Sequence, residues 1–147
     1  MRLQISTRLA IFATLELTAR EGIQLSVGEI GEKYGVSAHH LAKVMHVMGR
    51  AGLVRSVRGA GGGYQFSGNP RRITLLDVAQ LFEDLSSAEP NNGAAATPED
   101  QALREVLHEV DDMANATLGS ITIATMRKLV DRHGAGGTRR AKAVRLA

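Results

Sequence analysis

The stretch LSVGEIGEKYGVSAHHLAKVMHVMGRAGLVRSVRGAGGGYQF, residues 25–66, decides the fold. Ser26 followed by Glu29 is a capping-box pattern, and Gly35 fits the glycine that closes a helix. Together they predict a short helix over about 27–34. Ser37 caps the next helix, which runs to about Ala51. Leu41, Val44, Met45, Met48 and Ala51 recur at helical spacing and form its buried stripe. The opposite face carries His39, Lys43, His46 and Arg50 at i, i+4, i+7 and i+11. Helix, tight turn at YGVS, helix is the helix-turn-helix arrangement. A row of cations and donors is often only a solvated face. Beside this spacing it reads as a face turned toward DNA.

The segments LVRSVR and YQFS have apolar or aromatic residues at alternate positions, with Gly59–Gly63 between them. This predicts a β-hairpin with a glycine tip directly after a recognition helix, which is a wing. The glycine run has other readings, and the residues around it exclude them. A phosphate-binding loop needs Lys and then Ser or Thr after its last glycine, but Gly63 is followed by Tyr64. A dinucleotide-binding GxGxxG needs glycine at position 64 and a helix beyond it. What remains is a thin tip able to enter a narrow minor groove, with Arg58 at its root supplying the charge such a groove attracts.

Working outward, Ile5, Leu9, Phe12, Ala13 and Leu17 predict a helix over 5–20. Ala10, Ile11 and Leu15 imply that it is covered on more than one side. Thr74 caps a helix to about Leu85 with Leu75, Val78, Ala79 and Phe82 on its apolar face. The small, polar segment 86–98 reads as a mobile loop. Thr97 caps, and Pro98 opens, a helix to about Thr117. On it Leu103, Val106, Leu107, Val110 and Met113 make one apolar stripe on an otherwise charged rod. Such a stripe suits a partner helix, most simply its own copy, although packing within one chain would need the same pattern. A last helix spans Ile121–Arg132, and the glycine- and base-rich tail over 133–147 is expected to be disordered. The fold class is therefore mainly α with a small β-hairpin wing. Residues 1–72 form the winged helix-turn-helix, and 73–132 form the linker helix, mobile loop and dimerisation helices.

The 147 residues are 44% hydrophobic but only 3% aromatic, so the core is aliphatic. No apolar run reaches the 18 residues that suggest a membrane span. The charged TLELTAR segment argues against a signal peptide, so the expected compartment is the cytoplasm. The net charge of +3 hides an asymmetry: residues 1–72 hold ten Lys/Arg against four Glu, and residues 73–133 hold eleven acids against four bases. A basic first half suggests a negatively charged partner. There is no cysteine. The histidines are His39, His40, His46, His108 and His133, with no HxxxH pair. His39 and His46 lie about 10 Å apart along a helix, too far to share an ion. His108 with Asp111 or Asp112 would be at most a weak site. Neither a metal site nor enzyme chemistry is expected.

The segments IGEKYGVSAHHLAKVMHVMGRAGLVRSVRGAGGGYQF and ITLLDVAQLFE, after an opening MRL, resemble the Rrf-two type (BadM/IscR/NsrR-like) bacterial transcription regulators, over about residues 1–132. AGLVRSVRGAGGGY is the most specific part. The resemblance implies a winged-helix homodimer with a long dimerisation helix and a crossed-over last helix. Many members hold an iron–sulfur cluster on three cysteines before the dimerisation helix. The corresponding positions here are about Glu89, Ala95 and Gln101, so this is a cysteine-free member and no cofactor is expected. Glu89, Glu99 and Asp100 could hold a hard cation but do not replace three thiolates.

The expected function is a dimeric regulator, a repressor, that binds a double-stranded DNA operator. Its signal would be a small-molecule or protein effector. In this reading Ser37, Ala38, His39, His40 and Lys43 meet the major groove, and Arg58, Gly59, Gly61, Gly62 and Tyr64 form the wing contact. Ser6, Thr7 and Arg8 hold phosphate. The competing reading is a protein-interaction module that keeps a vestigial winged helix.

Overall fold

A computed structural model of the chain describes residues 1–59, 61–85 and 97–144. The elements are α1 (Ile5–Leu17), α2 (Val27–Tyr34), α3 (Ala38–Arg50), β1 (Val54–Val57), β2 (Gly63–Phe66), α4 (Leu75–Ala79), α5 (Pro98–Ser120) and α6 (Ile123–Val144). The capping box at the start of α2 is closed in both directions. Ser26 Oγ accepts from the Glu29 N–H at 3.1 Å, and Glu29 Oε2 accepts from the Ser26 N–H at 2.8 Å. Gly35 ends α2 in the left-handed region at φ 65°. Ser37 Oγ then accepts the His40 N–H and starts α3. The turn between the helices is closed by the Val36 N–H donating to the Gly31 carbonyl at 2.9 Å. A Cβ at Gly31 would lie 2.6 Å from the Val36 oxygen. Only glycine allows α2 and α3 to meet at this angle without a shift in the turn.

The core is aliphatic and gathers around α1. Ala10, Ile11, Ala13, Leu15 and Leu17 are buried there against Ile30 of α2, Leu41, Val44, Met45 and Met48 of α3, Val54 of β1, and Val78 of α4. Ile5 is 66% exposed and Ala51 is exposed as the C-cap of α3. These two apolar residues sit at helix ends, beyond the covered face. α1 stops at Leu17 rather than at residue 20, where Thr18 folds its hydroxyl back onto the Thr14 carbonyl at 2.7 Å.

The hairpin is antiparallel, in the register Val54↔Phe66, Arg55↔Gln65, Ser56↔Tyr64 and Val57↔Gly63. Leu25 adds a bridge on the outer side of β2, exchanging backbone hydrogen bonds with Tyr64 at 2.7 and 3.1 Å. The wing is thus tied to the segment leading into α2 as well as to the end of α3.

α4 is shorter than the expected helix to Leu85. Its start is capped as read, Thr74 and Asp77 forming a reciprocal box. From Val78 and Ala79 the ladder tightens to three-residue bonds into Leu81 and Phe82. The chain then presents Glu83 to α1, where its Oε1 accepts from the Gln4 N–H at 2.6 Å and the Thr7 hydroxyl at 2.5 Å. This tertiary contact outcompetes another turn of helix. α5 begins at the Thr97 cap with Pro98 in its first turn and is about 34 Å long at 1.5 Å per residue. It returns to the body at its C-terminus. Ile121 O accepts from Leu75, Ile123 N–H donates to Ile73, and buried Ile123 opens α6. The first turns of α6 dock on α1 of the same chain, the Arg127 guanidinium donating to the Leu15 carbonyl at 3.1 Å.

The last helix was expected to end at Arg132 with a disordered tail after it; instead, α6 continues to Val144. Each glycine among Gly134, Gly136 and Gly137 costs about 1 kcal/mol relative to alanine. A helix already nucleated adds a hydrogen bond per residue, and the Ala, Arg and Lys that follow are good helix formers. The expected mobile segment 86–98 falls almost wholly outside the described residues.

Candidate nucleic-acid interface

The helix-turn-helix presents α3 with its apolar face sealed and its polar face open. Leu41, Val44, Met45 and Met48 are at most 2% exposed, which fixes the rotation of the helix. His39, Lys43, His46 and Arg50 are all exposed on the opposite side. Ser37 and Ala38 are exposed at the helix N-terminus. There the first backbone N–H groups and the positive end of the helix dipole favour a phosphate. His40 is half-buried, its Nε2 lying 3.5 Å from Ser6 Oγ. Ser6, His40, Lys43 and Phe82 line a cleft of about 180 Å³ between α1 and α3. The structure thus brings Ser6, His40 and Lys43 together.

Two of the expected phosphate contacts lie elsewhere. Thr7 is fully buried, and its hydroxyl donates to Glu83; it cannot reach a phosphate. Arg8 sits about 160° around α1 from Ser6 at 100° per residue and reaches over Phe12, 5.9 Å from the ring centre. It therefore belongs to the side of α1 away from the Ser6–His40 edge.

On the wing, Arg58 is exposed at the end of β1 and leads into the tip. Gly59 and Gly61 have φ of 112° and 75°, which side chains rarely tolerate. Gly62 and Gly63 are glycine for a different reason. A Cβ at Gly62 would sit 2.6 Å from the Val57 carbonyl, and one at Gly63 would run into the Leu25 carbonyl. Gln24 donates from its side-chain amide to the Gly61 carbonyl and holds the tip from below. Arg55 lies on the exposed face of β1, its guanidinium held at 2.7 and 3.1 Å by Gln65 Oε1. Tyr64 is half-buried and packed on the core, and its backbone bonds with Leu25 anchor the wing. Sequence reasoning passed over Gln24, Arg55 and Glu83. Gln24 lies in a connecting segment without periodicity, and Glu83 counted only as a polar position of the helix expected to reach Leu85, whereas Arg55 could have been found from its place on the outward face of the strand.

α2 is clamped to α1 behind this surface. Glu16 accepts from Lys33 Nζ at 2.5 Å and from Tyr34 Oη at 2.6 Å. Burial alone would raise the Glu16 pKa, but the bonds from Lys33 and Tyr34 outweigh it and hold the carboxyl below its ordinary range. Burial first, and then the Glu16 bond, push the Tyr34 phenol well above its ordinary range. Phe12 stacks on Tyr34 with ring centres 5.0 Å apart. α5 carries its stripe openly: Leu103, Val106, Leu107, Val110 and Met113 are all exposed, and no residue of α5 is buried.

Residues 3–128 match the family model for Rrf2, described as an iron-dependent transcriptional regulator. The chain belongs to the Rrf2 family. It is 46% identical over 131 residues to a protein of Rhodopseudomonas palustris named as the HTH-type transcriptional regulator BadM, covering 89% of this chain and 84% of that one. Among solved structures it is similar to T. potens IscR, with a TM-score of 0.72, 28% identity and 88% of each chain covered. It is also similar to CymR, the global cysteine regulator of B. subtilis, with a TM-score of 0.74 and 26% identity over 88% of this chain and 98% of that one. Rrf2 proteins are transcription regulators, not enzymes, and the helix-turn-helix with its hairpin is the DNA-binding winged helix of this one.

The family description names iron, and the residues here do not fit a cysteine-ligated cluster. The chain has no cysteine. Of the three positions at which the resemblance would lead one to expect a cysteine, Glu89 and Ala95 lie outside the described residues and Gln101 is exposed near the start of α5. Among the described residues no three His, Asp or Glu side chains converge as a metal site. His108 lies 3.7 Å from Asp112 as an exposed helix-surface pair. Among the described residues no helix is long and apolar enough to cross a membrane.

Proposed function

We propose that this Rrf2 protein is a cytoplasmic homodimer that binds a specific operator and represses transcription without a cysteine-held cluster. One observation carries the reading: the exposed face of α3, with His39, Lys43, His46 and Arg50, lies next to a wing whose root is Arg58, in a half of the chain with ten Lys/Arg and four Glu. α3 enters the major groove with Ser37, Ala38, His39, His40 and Lys43 nearest the DNA. Ser6 and the α3 N-terminus hold phosphate. The wing tip at Gly59, Gly61 and Gly62 follows the flanking minor groove with Arg58. Residues 1–72 are the reading head and 73–132 the linker and dimer-forming arm. The open stripe on α5 supports dimerisation, since two such stripes cover one another about a two-fold axis. Repression needs only occupancy, because a dimer seated on an operator blocks access to it. The signal is a small molecule or a protein partner.

The test is retention of fragments from a sheared genome at rising salt, followed by affinity measurements on a selected fragment. With about six phosphates neutralised per dimer, log K should fall against log salt with a slope of about −5. A flat dependence without fragment selection would refute operator binding and leave the protein-interaction reading.

A further inference from the structure

A second cleft, of about 390 Å³, opens on the side of α1 away from α3. Its volume falls in the range of small-molecule sites, about 300–1,000 Å³. Leu3, Phe12, Leu75 and Met126 give it an apolar interior, and Arg2 and Arg8 stand at its rim. Among the described residues no acidic side chain lines it. Among the described residues neither guanidinium has a carboxylate partner; Arg8 only overhangs the Phe12 ring. The other arginine of this region, Arg127, is by contrast occupied by the Leu15 carbonyl and by Asp131. An apolar pocket with two free cations at its mouth matches an amphipathic anion.

We propose that this cleft binds a small organic anion, a carboxylate on an apolar body, and that this is the effector site of the protein. The carboxylate would take charge-assisted hydrogen bonds from Arg8 and Arg2, while its body would lie against Phe12, Leu75 and Met126. The walls come from the reading head through α1, from the linker helix α4, and from α6. A ligand that binds one arrangement of these parts better than another shifts the balance between them. The anion site stands independently of DNA; its effect on the operator rests on the operator-binding reading above.

The test uses the full chain labelled with ¹³C-methyl methionine and titrated with octanoate, with octanamide as the neutral analogue. Octanoate should shift the Met126 signal and leave Met45 and Met48 in place. Octanamide, and octanoate on the Arg2→Gln/Arg8→Gln double variant, should each bind at least about tenfold more weakly. That ratio is the share of one charge-assisted contact of about 1.4 kcal/mol. Equal binding of octanamide, full binding by the double variant, no response at millimolar octanoate, or a response at Met113 of α5 in place of Met126 would each overturn the site. Operator affinity measured with and without octanoate decides the coupling. A change of several-fold supports it; an unchanged affinity at saturated Met126 overturns the effector role while leaving the site and the operator reading intact.

Discussion

Pairing Leu107→Asp with Val110→Asp should convert the protein from dimer to monomer. Leu103, Val106, Leu107, Val110 and Met113 are 58%, 59%, 43%, 51% and 64% exposed in the isolated chain. Complete burial of such side chains stabilises by about 1.5–3 kcal/mol each, so covering the remaining half gives about 1 kcal/mol per residue. The stripe is then worth about 5 kcal/mol per protomer and about 10 kcal/mol for the pair. Association itself costs about 4–15 kcal/mol. The seam therefore decides whether a dimer forms and has little to spare. The double substitution removes about 4 kcal/mol of apolar contact across the pair. It also leaves four carboxylates at the seam, each costing about 1–3 kcal/mol more if it is desolvated without a partner. A rise in the dimer dissociation constant of at least about 10⁴-fold follows. Sedimentation equilibrium at micromolar concentration should give wild type near twice the 15.7 kDa chain mass and the variant near that mass. Circular dichroism should stay unchanged, because neither site is buried within the chain. A variant that still sediments as a dimer would show that the α5 stripe is not the seam. A wild type that is monomeric would remove the dimer from the proposal.

Gly31→Ala should lower stability by about 1–3 kcal/mol in thermal or urea melts, because overpacking the α2–α3 turn exceeds the gain in helix propensity. Gly28→Ala, which meets only Ser26 Oγ at 3.7 Å, is the control and should be neutral or stabilising. Glu16 has a lowered pKa in the folded protein, so its contribution is present above the ordinary carboxylate range and is lost as pH falls through the folded value. Glu16→Gln should accordingly be less stable than wild type at pH 7, with the gap closing on acidification below about pH 4; a gap that stays constant with pH would contradict the clamp. Arg58→Ala should weaken operator binding by about 1–3 kcal/mol and relax preference at flanking positions. Wild-type affinity in fluorescence anisotropy would show that the wing does not read the groove.

The elements legible in the sequence are those specified by neighbours along the chain. Ser26 with Glu29, Ser37, Thr74 and Thr97 each announce a helix start through a hydroxyl three residues from its backbone donor, and all four caps are present. The apolar stripe of α3 fixes which of its residues face out, so the exposed row from His39 to Arg50 is legible in the sequence. The hairpin followed from alternation around a glycine run. Helix ends were less legible. At Thr18, Leu85 and Gly134 local propensity does not mark the end, and a side-chain bond, a distant contact or a continuing ladder decides.

What the sequence concealed is the return of the chain from far away. Glu83 comes back to Thr7, Leu25 to Tyr64, and Arg127 to Leu15. Each return gives a structural role to a residue that local reasoning placed in the DNA contact or left without a role. Thr7 looked like a phosphate ligand because a hydroxyl near a helix start usually faces solvent; burial against Glu83 removes it. Tyr64 follows the glycines in the sequence; its bridge to Leu25 makes it the anchor of the wing. Gly63 has the same origin, meeting the Leu25 carbonyl. Gly59 and Gly61 satisfy the local turn, whereas Gly62 and Gly63 are required by carbonyls that close on them, one from β1 and one from the segment before α2. The tip is therefore held from two sides, and Arg58 stands at the root of a braced loop. A braced loop loses less conformational entropy on entering a groove than a free one. The same glycines that look like flexibility in the sequence thus supply preorganisation in the fold.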